Sequence, residues 1–269
     1  MNTLIIGCGN MGGAMLAGWL AGGAAAENFT VVDPLVADVP DGVTLHRSLD
    51  AVSVQSFGTV LLAFKPQQLA RAAPAIAPLA AGTLLMSVLA GIDLAALASN
   101  FPAASARVRV MPNLAAALGK SPIALAGDLD DAHKAQIAAL LAPLGTPEWI
   151  GEEAFDLVTA LAGSGPAFVY RFIDALAAGA AQLGLDRAQA DRLALAMVEG
   201  AAALAAASPH GPAELARRVA SPGGVTQVGL DVLDADAALV RLVTATLRGA
   251  RDRSAAMGRE HGGPRAPAD

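Results

Sequence analysis

The chain has 269 residues, 54% of them apolar, a formal net charge of −6 and a single cysteine. That length suits two packed domains, the acidic balance argues against nucleic acid as a partner, and MNTLIIG has no basic region ahead of its apolar run to make a secretory leader. Cys8 alone allows neither an intrachain disulfide nor a thiolate metal cluster, and no stretch is apolar and glycine-free enough to span a bilayer, so a cytoplasmic protein with no metal and no membrane partner is expected.

Short apolar runs at Thr3–Ile6, Phe29–Val32, Val43–Leu45, Thr59–Ala63, Thr83–Val88 and Arg107–Val110 alternate with segments of helical composition or Gly/Pro punctuation. Runs this apolar predict strands of a parallel sheet covered on both faces. Ser121–Ala126 adds a candidate edge strand, Asp130–Leu141 a helix, and Thr146–Ile150 a last strand fenced by Pro143 and Pro147. After about Gly151 the strand signals stop. Phe168, Phe172, Leu176, Gly179 and Leu183 mark one face of a helix over Pro166–Leu183. Asp186 with Gln189 resembles a capping box for a helix to about Ala207, a shorter helix covers Ala213–Val219, and a long one covers about Ala237–Met257. The many alanines and glycines on these helices leave shallow apolar surfaces that point to a dimer. The expected division is residues 1–151, a helical domain at 152–258, and a disordered tail at 259–269.

At LIIGCGNMGGAM a strand leads into Gly7, glycines follow at Gly9 and Gly12, and a helix leads out from about Met11. Asp33 closes the next strand in FTVVDP. This is the context of a Rossmann dinucleotide site: glycines admit the pyrophosphate, the helix N-terminus offers N–H groups, and the acid takes ribose hydroxyls. A carboxylate there repels a 2′-phosphate, and no Lys or Arg follows until Arg47, which favours NADH over NADPH. Cys8, inside the turn, is read as small rather than reactive, because a phosphate site wants backbone N–H groups and no bulk.

Absences narrow the chemistry. His46, His133, His210 and His261 lie outside the glycine-rich motifs, Tyr170 is followed four residues later by Asp174 rather than lysine, and the lysines stand only at Lys65, Lys120 and Lys134. The usual acid–base groups of hydroxyacid and Tyr-x-x-x-Lys reductases therefore have no seat. An imine fits better, since an iminium already carries its proton and needs chiefly to be held against a nicotinamide. TALAGSGPAF (Thr159–Phe168) and SPGGVTQVG (Ser221–Gly229) each combine small residues with a helix N-terminus. Successive N–H groups at Gly223, Gly224, Val225 and Thr226 suit a carboxylate, with the Thr226 hydroxyl left for a ring nitrogen. Either stretch alone also reads as an ordinary helix cap.

In order along nearly the whole chain, IGCGNMG (Ile6–Gly12), AFKP (Ala63–Pro66), SVLAGI (Ser87–Ile92), RVMPN (Arg109–Asn113), DLVTALAGSGPAF (Asp156–Phe168) and SPGGVTQVGLDVLD (Ser221–Asp234) resemble the pyrroline-5-carboxylate reductases. The resemblance implies NAD(P)H-dependent reduction of 1-pyrroline-5-carboxylate to L-proline, on a Rossmann domain with a mostly parallel sheet followed by an all-α dimerisation domain. It also implies a homodimer or a ring built from dimers. Carried over, Ile6, Gly7, Cys8, Gly9, Asn10 and Met11 meet the pyrophosphate and Asp33 the adenosine ribose. Ala63, Phe64, Lys65 and Pro66 flank the nicotinamide riboside together with Leu89, Ala90 and Gly91, mostly through backbone. Val225 and Thr226 take the substrate's carboxylate and ring nitrogen, with Thr226 the catalytic candidate and Glu152 near the substrate. Three departures stand out: Leu114-Ala115 follows Asn113 where relatives usually carry Thr-Pro, Ala162 replaces a usual Ser, and Phe64 a common Val. Reduction of another cyclic imino acid, such as a piperideine carboxylate, and a non-catalytic cofactor-binding regulator remain the alternatives.

Overall fold

The structure, a computed structural model, describes residues 2–261. Within them the chain forms two compact units, divided in sequence at Ser164/Gly165 and at Leu247/Arg248; the residues from Arg248 on belong with the first unit.

The first unit carries one eight-stranded sheet: β1 (Thr3–Ile6), β2 (Phe29–Val32), β3 (Thr44–His46), β4 (Thr59–Leu62), β5 (Leu84–Ser87), β6 (Ala106–Met111), β7 (Ser121–Ala126) and β8 (Gly145–Trp149). Their order is β3-β2-β1-β4-β5-β6-β7-β8. Every residue of β1, β2 and β4 is buried, as a sheet covered on both faces requires. Alternate side chains go to opposite faces. Leu4, Ile6, Val60, Leu62 and Leu85 pack with Ile76 of α2 (Leu69–Ala80) and Leu97 of α3 (Leu94–Asn100). Ile5, Val31, Leu61, Met86 and Val108 pack with Met15 and Trp19 of α1 (Asn10–Ala21) and Ile137 and Leu141 of α4 (Asp131–Leu141).

One sheet expectation changes: β7 is an interior strand, with β8 at the edge. β7 runs antiparallel to β6, the one antiparallel pairing in a mostly parallel sheet among the described residues. The link from Met111 to Ser121 holds only a short 3-10 turn, Leu114–Leu118, too little chain for the crossover that a parallel neighbour needs. β8, which contains Pro147, suits an edge.

After a 3-10 turn at Glu152–Ala154 come the single turn α5 (Phe155–Val158), a π-helical turn at Thr159–Gly163, and α6 (Gly165–Gln182). The second unit comprises α6, α7 (Arg187–Ala207), α8 (Pro212–Val219), α9 (Val225–Asp234) and the first part of α10 (Ala238–His261). Asp186 caps α7 as its pairing with Gln189 predicts, accepting the Gln189 N–H at 3.0 Å. α6 and α7 meet through Ala177, Ala190 and Ala194, beside Ile173, Leu176 and Ala180. Small side chains let the two backbones approach closely. Of the predicted face, Leu176 packs at this contact, whereas Phe172 and Leu183 remain 46% and 91% exposed.

At its far end α10 continues through Arg259–His261, residues expected in the tail, and an Arg253–Glu260 ion pair at 2.7 Å supports those turns. The rest of the expected tail, 262–269, lies outside the described residues. Among the described residues no single helix is long and apolar enough to cross a membrane, and no group of three or more His, Cys, Asp or Glu is placed to hold a metal.

Candidate functional site

The strand order reverses between β1 and β4, so their carboxyl ends open the crevice where sheets of this kind bind ligands. The glycines of the turn after β1 have three separate duties. Gly7 sits at φ +90°, and a Cβ there would stand 2.7 Å from the Ala63 carbonyl oxygen at the end of β4. Gly12, in the first turn of α1, faces the Gly7 carbonyl too closely to admit any side chain. Gly9 has nothing within 4 Å of the Cβ position, so its missing side chain leaves space open at the N-terminus of α1. No side chain caps that terminus, and its first-turn N–H groups have no intrahelical acceptors. Gly9 and Asn10 are exposed, Met11 is half-buried, and Ile6 is buried beneath the turn.

Asp33 lies at the end of β2, 9% exposed. Its Oδ2 accepts the Cys8 N–H at 2.7 Å, and its Oδ1 accepts the N–H groups of Leu35 at 2.7 Å and Val36 at 3.0 Å. Burial by itself pushes this carboxyl up, but the three N–H groups and the charge of Arg47 outweigh it and hold the group below its ordinary 3.8. The Arg47 guanidinium donates to the carbonyls of Asp33, Val36 and Ala37. Burial, with the Asp33 charge added, pushes the Cys8 thiol up and so favours its protonated form.

The backbone after β4 and β5 joins the same crevice: Ala63 N–H donates to Ile6 O at 2.8 Å, and Val88 N–H to Leu62 O at 3.0 Å. Phe64 packs half-buried on the core, Lys65 is exposed, and Pro66 opens a 3-10 turn. Leu89, Ala90 and Gly91 form a tight turn closed by Ile92 N–H to Leu89 O at 3.2 Å, with Gly91 at φ +76°. A positive φ at the third position is the requirement of a type II turn.

Glu152 belongs to a partly buried ion pair. Its Oε1 meets Arg109 Nη1 at 2.8 Å and accepts the Leu94 N–H at 3.1 Å, where α3 begins. The Arg109 guanidinium also lies 3.7 Å from the Phe155 ring centroid. Burial lowers the affinity of Arg109 for its proton and Glu152 offsets part of that effect.

Asn113, matched in sequence but without a stated role, ties three segments together. Its Nδ2 donates to Ala162 O at 3.0 Å, its N–H donates to Ser121 Oγ at 2.9 Å, and its Oδ1 accepts the Ala115 N–H at 2.9 Å. Leu114-Ala115 thus supplies an N–H that the expected proline could not. The helix expected to begin within TALAGSGPAF does so, as α6 at Gly165, and a π-helical turn leads into it, with Ser164 N–H donating to Thr159 O at 3.0 Å. Such a turn misaligns the carbonyl ladder, and Asn113 takes up the Ala162 oxygen.

In the second unit, Ser221-Pro222-Gly223-Gly224 makes a turn with Gly223 at φ +69° and Gly224 N–H bonded to Ser221 O at 2.9 Å. The expected run of four donors is shortened accordingly, because the Gly224 N–H closes that turn. α9 begins at Val225 with no side-chain cap, and both Val225 and Thr226 are exposed. What remains is an uncapped helix N-terminus with a hydroxyl in its first turn, whose dipole and free N–H groups suit an anion. Sequence reasoning gave no role to Arg109, Asn113, Ser254 or Gly258; RVMPN was the signal for the first two.

Residues 152–257 match the family model described as pyrroline-5-carboxylate reductase dimerisation, and residues 3–91 match that of NADP oxidoreductase coenzyme F420-dependent. The chain is 34% identical over 266 residues to the pyrroline-5-carboxylate reductase of Pseudomonas aeruginosa, covering 96% of this chain and 97% of that one. It is 33% identical over 239 residues to pyrroline-5-carboxylate reductase 2 of Bacillus subtilis, covering 85% of each. Among solved structures it resembles a pyrroline-5-carboxylate reductase from Coxiella burnetii at a TM-score of 0.86, with 26% identity, 98% of this chain and 99% of that one covered. The Plasmodium falciparum pyrroline carboxylate reductase, solved with NADP bound, gives 0.81 at 25% identity, covering 96% and 98%. A mostly parallel sheet with a glycine turn at its switch point, an uncapped SPGGVT helix and likeness along almost the full length agree: the chain belongs to the pyrroline-5-carboxylate reductase family.

Proposed function

We propose that this protein reduces 1-pyrroline-5-carboxylate to L-proline with NAD(P)H, as a cytoplasmic homodimer. The observation that carries the reading is the family likeness over 96% of the chain together with the uncapped start of α9. The open space at Gly9 and the uncapped N-terminus of α1 fit a pyrophosphate, with Ile6–Met11 around it. Asp33 sits beside the ribose, and Ala63–Pro66 and Leu89–Gly91 flank the nicotinamide riboside. When bound, the reduced nicotinamide supplies a hydride to the C=N carbon. The Val225 and Thr226 N–H groups hold the substrate carboxylate, and the Thr226 hydroxyl orients the ring nitrogen. Lys65 is exposed and serves through its backbone.

NADH is the preferred donor in this reading. Asp33 places a carboxylate held in its charged form where a 2′-phosphate would go, while the guanidinium of Arg47 is engaged by three carbonyls. The match of 152–257 to a dimerisation model, with Tyr170, Leu193, Leu204 and Leu242 exposed, supports the homodimer, and rings of dimers would extend it.

NADH and NADPH oxidation followed with pyrroline-5-carboxylate and with piperideine-6-carboxylate tests these statements together. Faster turnover of the five-membered imine with NADH is expected. Faster turnover of the six-membered ring would reassign the substrate, and cofactor binding without turnover of either would refute the reductase. A tenfold preference for NADPH would overturn the role of Asp33, and Asp33→Ser is expected to shift preference toward NADPH. Sedimentation equilibrium should give twice the chain mass or a multiple of it; a monomer would refute the dimer.

A further inference from the structure

The Leu89–Gly91 turn is held against a helix that lies far from it in sequence. Gly91 and Gly258 are both buried, and a Cβ on Gly91 would stand 2.9 Å from Gly258 N, 3.1 Å from Gly258 Cα and 3.1 Å from the Met257 carbonyl carbon. The last turns of α10 therefore rest backbone against backbone on this turn. A glycine inside a helix is less favourable than alanine, and the close approach gives position 258 a reason to carry one. One helical turn earlier, on the same side of α10, Ser254 is 8% exposed and donates from Oγ to Asp156 Oδ1 at 2.8 Å. Asp156 follows Phe155, whose ring lies against Arg109, and Arg109 pairs with the Glu152 carboxylate that accepts the first N–H of α3. α3 begins three residues after Gly91. The turn is thus held on one side by α10 and on the other by the fixed start of α3.

We propose that Ser254 and Gly258 are positioning residues: they set the Leu89–Gly91 turn at the height at which its backbone meets the nicotinamide half of NAD(P)H. Neither touches the cofactor, and both act through the turn. The proposal rests on the assignment of that turn to the nicotinamide riboside. It predicts an asymmetry, because the adenosine half is held by Gly9 and Asp33 at the other end of the crevice.

The full-length chain, its Ser254→Ala, Ser254→Thr and Gly258→Ala variants, and two ligands, NADH and ADP, which ends at the pyrophosphate, make the test. Intrinsic-fluorescence or calorimetric titration should show NADH affinity weakened about 5- to 20-fold in Ser254→Ala and Gly258→Ala, with ADP affinity within twofold of the parent. Ser254→Thr, which keeps the hydroxyl, should restore most of the NADH affinity. Equal weakening of both ligands, or no change in either, would overturn the proposal. If Gly258→Ala does not fold, the Ser254 pair carries the same comparison. A parent chain that binds neither NADH nor NADPH refutes the cofactor reading itself, a result distinct from a parent that binds normally with indifferent variants.

Discussion

The N–H of Cys8 donates to the Asp33 carboxylate at 2.7 Å, so the acid that closes β2 also ties down the glycine turn after β1. The Leu35 and Val36 N–H groups bind its other oxygen. Because the folded carboxyl titrates below its ordinary 3.8, its contribution to stability is complete above the unfolded value and is lost as pH falls through the folded one. Asp33→Asn should cost about 1–3 kcal/mol at pH 7. In urea titrations the gap between parent and variant should narrow as pH drops below about 4. A gap that stays constant down to acid pH would contradict this account.

The turn glycines should respond differently to alanine. Gly7→Ala meets both a φ of +90° and the Ala63 carbonyl, and should destabilise the fold by more than about 2 kcal/mol. Gly9→Ala meets open space. It should leave stability within about 0.5 kcal/mol yet weaken NADH binding at least tenfold, roughly 1.4 kcal/mol, by filling the room left for the pyrophosphate. Urea unfolding beside NADH titration separates the two; equal losses of stability would undo the distinction.

Arg109 is nearly inaccessible and its partner Glu152 is a third exposed. Removing one member of a fully buried pair costs about 3–5 kcal/mol, and the partial exposure of Glu152 reduces the expectation for Glu152→Ala to roughly 1–3 kcal/mol. If Glu152 serves this pair and not the substrate, Glu152→Gln should leave the KM for pyrroline-5-carboxylate within twofold while lowering the unfolding midpoint. A selective rise in that KM at unchanged stability would return Glu152 to the substrate.

Asn113→Ala leaves the Ala162 carbonyl and the Ala115 N–H without their partner. About 2–3 kcal/mol of destabilisation should follow, concentrated locally. Hydrogen exchange should rise in 159–164 and 114–118 before it rises in β1 or β4. Uniform acceleration across the sheet would mean that Asn113 does not tether the π-helical turn in particular.

The sequence by itself determined the strands, the glycine turn with its acidic partner, and the ends of α7, because each follows from short-range rules: apolar runs between breakers, glycine where a backbone must come close, an aspartate three residues ahead of an N–H it can cap. β1 and β2 fall on the residues predicted, Thr3–Ile6 and Phe29–Val32. The family was equally legible, since its motifs are contiguous. Tertiary structure alone decided what depends on residues distant in sequence. The antiparallel β7 follows from how little chain joins it to β6. The covered face of α6 follows from its alanine contacts with α7, which a helical period cannot choose among several apolar stripes. Glu152 meets Arg109 across 43 positions, Ser254 meets Asp156 across 98, and Gly258 lies against Gly91; no local pattern encodes such pairs, because burial and hydrogen bonding select them only once the elements have packed.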